Sequence, residues 1–249
     1  MAQKIIISGC NGHMGRVVES ICSADPEVTV VAGFDVNQES REFPVYVSPA
    51  NFTGEADAVI DFSSPAALDG LLAFAVERKI PLVLATTGYS QEQLEQIQEA
   101  SKSVAIFRSA NMSLGINVLL ELVKKASAVL GDSYDIEIVE KHHNRKVDAP
   151  SGTALMLADA ISCALPQQPQ YIYDRHSRRA PRSREEIGIH SVRGGTIVGE
   201  HEILFAGHDE QISLTHTAAS KEIFATGAIN AALFLANQKA GLYNMRDLV

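Results

Sequence analysis

The sequence predicts an α/β protein: a doubly wound parallel sheet joined to a second α+β region whose sheet is mostly antiparallel. Three observations carry this. Short β-branched runs alternate with stretches of helical periodicity through the first 110 or so residues. The first of those runs opens into a glycine-rich turn that leads at once into a helix. Beyond residue 133 the strand-like runs follow one another across short turns, the pattern of antiparallel pairing.

Each element has its own local reason. Residues 4–8 contain Ile5, Ile6 and Ile7, a run too short for a helix and suited to a strand buried on both faces. Gly9, Cys10, Asn11, Gly12, His13, Met14 and Gly15 follow, then helical periodicity over 16–23. Strand, glycine turn and helix in this order fit a dinucleotide-binding unit, with the pyrophosphate against the turn and the helix N-terminus; the plain alternative is a glycine turn in a nucleotide-free α/β protein. The spacing is Gly-x-x-Gly-x-x-Gly, and Asn11 stands where the commonest fingerprint has its second glycine. Residues 29–34 read as the next strand, ending at Asp35, where a carboxylate would accept from the adenosine ribose hydroxyls. Val36 and Asn37 follow, so no arginine directly adjoins Asp35 and the pattern favours NAD over NADP, although Arg16 or Lys4 can supply a cation from elsewhere.

A short strand is expected over 45–47, a further one over 58–62, then a helix to about residue 78 with Ser64 as its cap and Pro65 in its first turn. A strand over 82–85 ends in Thr86-Thr87-Gly88. Ser90 and Gln93 form a capping-box pattern for the following helix, and a strand over 104–107 leads into Ser109, Ala110, Asn111 and Met112. A long helix over 113–130 ends at Gly131. Strands are expected over 134–139, 187–192, 197–205 and 211–217, and a last helix from Ser220 to about Lys239.

The chain has 21 basic and 30 acidic residues, a formal charge of −9 and a hydrophobic content of 46%. That balance disfavours nucleic acid as a partner. Cys10, Cys22 and Cys163 form no Cys-x-x-Cys pair, so neither a disulfide framework nor a metal site is expected. No signal segment or membrane-spanning apolar run is read, and a cytoplasmic location is expected.

The densest chemistry lies in Glu140-Lys-His-His-Asn-Arg-Lys-Val-Asp-Ala-Pro-Ser-Gly-Thr153. His142, His143, Arg145 and Lys146 fall within five residues, on a loop after the 134–139 strand. Ser151, Gly152 and Thr153 then stand where a helix begins, so its free N–H groups make an anion site. Cations beside a helix N-terminus point to a small substrate carrying carboxylates, with a histidine or lysine able to deliver a proton. The plain alternative is a solvated basic loop with a capped helix.

This segment, with every defining position filled from Glu140 to Ala154, resembles the signature of the dihydrodipicolinate reductase family. Thr86-Thr87-Gly88, Ser109-Ala-Asn-Met-Ser113, Ser191-Val-Arg-Gly-Gly195 and the C-terminal tail resemble other family segments, so the likeness spans essentially the whole chain. Ala85, in place of a glycine, and Lys221, in place of an arginine, depart from the pattern. The resemblance implies a Rossmann-like dinucleotide domain over 1–112 and 220–249, with the α+β domain, 113–219, inserted for substrate binding and oligomerisation. It implies His142 and Lys146 as acid/base residues, and His143, Ser151, Gly152 and Thr153 as substrate-binding residues. The glycine turn from Gly9 to Gly15, Asp35, Ala85, Thr86, Thr87, Ser109, Ala110, Asn111 and Met112 would bind NADH and/or NADPH. The implied reaction is reduction of the cyclic unsaturated imine dicarboxylate of lysine and diaminopimelate biosynthesis, by a homotetramer. From the residues alone, two alternatives stand: another small-carboxylate dehydrogenase, or a non-catalytic dinucleotide sensor.

Overall fold

The computed structural model describes residues 2–248, and of Asp132 the backbone only. The chain forms two compact units, Met1–Leu114 with Glu222–Val249, and Gly115–Lys221.

In the first unit, β1 (Gln3–Ser8), α1 (His13–Ala24), β2 (Val28–Phe34), β3 (Val45–Tyr46) and β4 (Ala58–Asp61) are followed by α2 (Leu68–Arg78) and β5 (Leu82–Leu84). Then come α3 (Gln91–Ala100) and β6 (Ala105–Arg108). From the end of the chain α6 (Glu222–Leu235) and β12 (Gly241–Tyr243) complete the unit. The seven strands are all parallel, in the order β12-β6-β5-β4-β1-β2-β3. The order reverses at β1 and β4, which makes the carboxyl ends of these two strands the expected crevice. Ile5 and Ile7 pack with α1 and α6, while Ile6 packs with α2 and α3. That is why three successive isoleucines have no exposure: alternate side chains enter cores on opposite faces of the sheet.

The local signals held unevenly. The Ser90–Gln93 capping box forms as expected. Ser64 does not cap: its side chain makes no cap bond, and a 3₁₀ turn at Pro65–Ala67 precedes α2. The last helix begins at Glu222 and stops at Leu235, short of Lys239.

The second unit contains α4 (Leu114–Leu130), which starts at the boundary residue, β7 (Asp135–His142) and α5 (Gly152–Ser162). Strands β8 (Gln170–Ile172), β9 (Glu186–Arg193), β10 (Gly199–Ala206) and β11 (Gln211–Ala218) complete it. Its sheet runs β11-β10-β7-β9-β8. Strand β10 is antiparallel to both β7 and β11, whereas β9 runs parallel to β7 and to β8. The parallel step follows from α5, a crossover that returns the chain in the same direction. One face, with Ile136, Ile138, Ile187, Ile189, Ile203 and Phe205, is covered by α4 and α5.

Candidate active site

Two clusters of polar residues lie at strand ends, one in each unit. In the first unit, β1 leads into a turn in which Gly9 takes φ +76, and a Cβ there would lie 2.8 Å from the carbonyl oxygen of Phe62. A Cβ on Gly15 would come within 2.2 Å of the Gly9 carbonyl oxygen. These two positions therefore require glycine for the turn to close against β4 and α1. The helix N-cap is Gly12, which offers no side chain to the first amides of α1. Beside the turn is a cleft of about 650 Å³, lined by Gly9, Asn11, Gly12, Asp35, Phe62, Ser63 and others. A turn with two obligatory glycines, a helix N-terminus with no side-chain cap and a cleft of this size fit a dinucleotide.

Asp35 is tied to the turn. Its Oδ2 accepts from the Asn11 N–H at 2.9 Å and its Oδ1 from the Asn37 N–H at 2.9 Å. Asn11 fastens the same corner with its amide, donating to the Asn37 carbonyl and accepting from Arg41 Nε at 2.8 Å. Arg41 also donates to the Cys10 carbonyl at 2.7 Å and pairs with Glu19 at 3.0 Å. So Asn11 uses a side chain where the commoner fingerprint has none. Arg16 pairs with Glu39 at 2.5 Å beside the same corner, while Lys4 pairs with Glu55 at 2.7 Å.

Other expected cofactor residues differ in what they expose. Cys10 is fully buried and burial pushes its thiol up to about 11, so only its backbone faces the turn. His13 and Met14 already belong to α1. Ala85 and Thr86 are half-buried after β5, and Thr87 is exposed. Ser109 Oγ donates to the Asn111 carbonyl at 2.9 Å, Ala110 is exposed, and Met112 is buried in the core, where the Gly227 backbone closes on its carbonyl.

In the second unit, β7 alternates half-buried and buried residues, so Ile136, Ile138, Glu140 and His142 share one face. The strand runs on to His142, which is therefore not on the loop. Glu140 has no exposure, yet it is richly bonded. It accepts from Arg193 Nη1 and Nη2, each at 2.7 Å, from the Ser151 N–H at 3.1 Å, and it bonds His142 Nδ1 at 2.6 Å. Burial alone would raise its carboxyl, but hydrogen bonds from Arg193, Ser191, His142 and the Ser151 amide outweigh it and bring it down to about 2. His142 is only 8% exposed. Burial lowers its imidazole below the usual value, against the opposing pull of Glu140.

Ser151 is buried at the start of α5. Its Oγ accepts from the Ala154 N–H at 3.1 Å as the N-cap of α5 and bonds His201 Nε2 at 2.9 Å. His201 packs edge-on against His142, with ring centroids 5.2 Å apart, and burial lowers it to about 4. Gly152 is exposed and Thr153 half-buried at the start of α5, and these two present the helix N-terminus. Lys146 Nζ pairs with Asp148 at 2.8 Å, and its side chain is 21% exposed. Its N–H donates to the His143 carbonyl at 3.1 Å, a turn that sets both side chains beside the strand end. The Nδ1 of His143 is buried with no hydrogen-bond partner among the described residues. Arg145 is exposed.

The family model for the N-terminal part of dihydrodipicolinate reductase matches residues 3–112, and that for the C-terminal part matches 115–249. The chain belongs to the dihydrodipicolinate reductase family. Among members of this reductase family, the 4-hydroxy-tetrahydrodipicolinate reductase of Caldanaerobacter subterraneus subsp. tengcongensis is 56% identical over 100% of this chain and 99% of its own length. The enzyme of the same name from Clostridium tetani is 50% identical over 97% of this chain and 95% of its own. Among solved structures, the dipicolinate-bound dihydrodipicolinate reductase from Paenisporosarcina sp. TG-14 has the same fold. It has a TM-score of 0.85 at 24% identity and covers 100% of both chains. A probable dehydrogenase from Thermotoga maritima aligns with a TM-score of 0.61 at 12% identity, covering 98% of this chain and 92% of its own.

Sequence reasoning missed three residues of these clusters. Arg193 lies 53 positions from Glu140, and only the parallel pairing of β9 with β7 brings them together. His201 and Arg41 carry no local signal beyond their residue type.

Proposed function

We propose that this chain reduces the cyclic unsaturated imine dicarboxylate 4-hydroxy-tetrahydrodipicolinate (dihydrodipicolinate) to tetrahydrodipicolinate, with NADH and/or NADPH, in lysine and diaminopimelate biosynthesis. The observation that carries the reading is the signature segment, which sets His143 and Lys146 between a strand end and the N-terminus of α5. The reductase family works with NAD(P)H, and the first unit holds the glycine turn and cleft that suit it. The solved relative that carries dipicolinate, a planar ring dicarboxylate, favours the same substrate class.

A nicotinamide held by the first unit would supply the hydride. Everything else falls to the chain. The first amides of α5, at Gly152 and Thr153, take one substrate carboxylate, and His143 and Lys146 compensate charge on that side. Ser151, which caps the helix start, completes this carboxylate site. Electron density pushed into the imine ring needs a positive neighbour and then a proton. Lys146 is the more accessible of the two acid/base residues and takes that role. His142, nearly buried and held by Glu140, sets the charge and packing behind it. In the first unit Asp35 and Asn11 would hold the adenosine ribose, and Thr86, Thr87 and Ser109–Asn111 would flank the nicotinamide. The enzyme works as a homotetramer in the cytoplasm.

The test is NADH oxidation by the purified chain with the cyclic imine dicarboxylate, beside 2-keto acids and open-chain imino acids. Oxidation with the cyclic substrate alone supports the reading, and turnover of the others at equal rate overturns it.

A further inference from the structure

Among the described residues, the carboxylate of Asp61 is the one fully buried charge of the first unit's sheet, and the proposed reaction gives it no role. It sits at the last residue of β4, beside the reversal of strand order, with no exposure. Its backbone carbonyl receives the Ala85 N–H at 3.0 Å, which pins the segment after β5 to the end of β4. Its side chain is surrounded by neutral donors. Oδ1 accepts from Ser63 Oγ at 2.5 Å and from the Ser63 N–H at 3.2 Å. Oδ2 accepts from Thr86 Oγ1 at 2.7 Å and from the Tyr89 hydroxyl at 3.4 Å. A buried carboxylate needs such donors to replace its lost water, so the arrangement is strongly constrained.

That constraint has a direction. A carboxylate only accepts, so each hydroxyl facing it must turn its single proton inward. Burial first, and then the charge of Asp61, raise the Tyr89 phenol, which keeps it a donor. Thr86 is half-buried, and with its proton committed to Asp61 it offers only lone pairs to anything bound beyond the strand end. Ser63 lines the cleft beside the glycine turn and is oriented in the same way. A ligand group that meets Thr86 must therefore be a donor. On a nicotinamide ring the only such group is the carboxamide NH₂.

We propose that Asp61 is a positioning residue: it fixes the hydroxyl of Thr86 as an acceptor for the carboxamide N–H of the nicotinamide. This rests on the reading of Thr86 as a nicotinamide neighbour. The competing role, a turn brace with no bearing on the ligand, predicts no discrimination between carboxamide and other groups at that ring position.

The experiment measures binding, not turnover. Dissociation constants are determined by calorimetry for NADH and for its reduced acetylpyridine analogue, in which a methyl ketone replaces the carboxamide and the N–H donors are gone. The parent should prefer NADH by about three- to tenfold, the range of one neutral hydrogen bond. In Thr86→Val the preference should fall to about one, and Thr86→Ser should keep it. Asp61→Asn presents an amide NH₂ to Thr86 and turns the threonine proton outward, so it should abolish or reverse the preference. If that variant does not fold, the Thr86 pair decides alone. A parent that binds both dinucleotides equally, or a preference unchanged in Thr86→Val, overturns the inference while leaving the reductase reading intact. A parent that binds neither NADH nor NADPH overturns that reading as well.

Discussion

Arg193 grips Glu140 with both terminal nitrogens at 2.7 Å, across two parallel strands and against a carboxylate with no exposure. This bidentate pair holds the acid that in turn holds His142 and the Ser151 amide. Removing the arginine would leave a buried charge uncompensated. Arg193→Met should therefore cost about 3–5 kcal/mol, read as a lower denaturant midpoint at unchanged slope. Glu140→Gln keeps the shape and removes the charge, and should cost less. Equal stability of Arg193→Met and the parent would show that the pair does not support the site.

The same cluster predicts how stability responds to acid. His201 is lowered from 6.5 to about 4 in the folded chain, so between those values the unfolded chain binds the extra proton. Stability must then fall as the pH drops from 6.5 towards 4. Glu140, lowered from 4.5 to about 2, continues the loss over that lower range. Thermal melting followed from about pH 7 to about pH 5 should show the decline, and His201→Phe should flatten it. A slope unchanged by that substitution would place the protonation elsewhere.

For the cofactor, Asp35 puts a carboxylate at the corner proposed for the ribose, while Arg16 and Arg41 stand nearby within ion pairs of their own. A carboxylate accepts from ribose hydroxyls and repels a 2′-phosphate. NADH should be used at least as well as NADPH. Asp35→Ala should weaken NADH and leave NADPH unharmed or improved, compared as kcat/KM at matched ionic strength because salt screens the phosphate. A strong NADPH preference that survives the substitution would remove Asp35 from ribose recognition.

Thr153→Val removes a hydroxyl at the start of α5 and keeps the shape. It should raise the KM for the dicarboxylate more than that for NADH. The opposite ranking would mean that this helix end serves the other ligand.

Much of this was legible in the residues themselves. Ile5–Ile7, the glycine turn and the Ser90–Gln93 box are local patterns, and local patterns decide local structure. The segment from Glu140 to Thr153 marked the second cluster in the same way. What the sequence hid was set by distance along the chain. Glu140 and Arg193 meet only because α5 turns β9 parallel to β7, and Asp61 reaches Thr86 only through the pairing of β4 with β5. Ser64 looked like a cap, yet the chain there forms a 3₁₀ turn first, and its hydroxyl makes no cap bond. Ser151, expected at the substrate, is buried and caps α5, and the distant His201 that its Oγ meets carried no signal in the sequence.

The central claim is that Lys146, set beside the α5 N-terminus, serves proton transfer to the reduced imine ring. Single-turnover oxidation of bound NADH by the cyclic imine dicarboxylate, compared between the parent and Lys146→Ala, tests it most directly. The rate should fall by about 10²–10⁴-fold, the usual contribution of a general acid, with NADH affinity and melting temperature unchanged. A variant that turns over at the parental rate, with substrate bound equally well, would contradict the account.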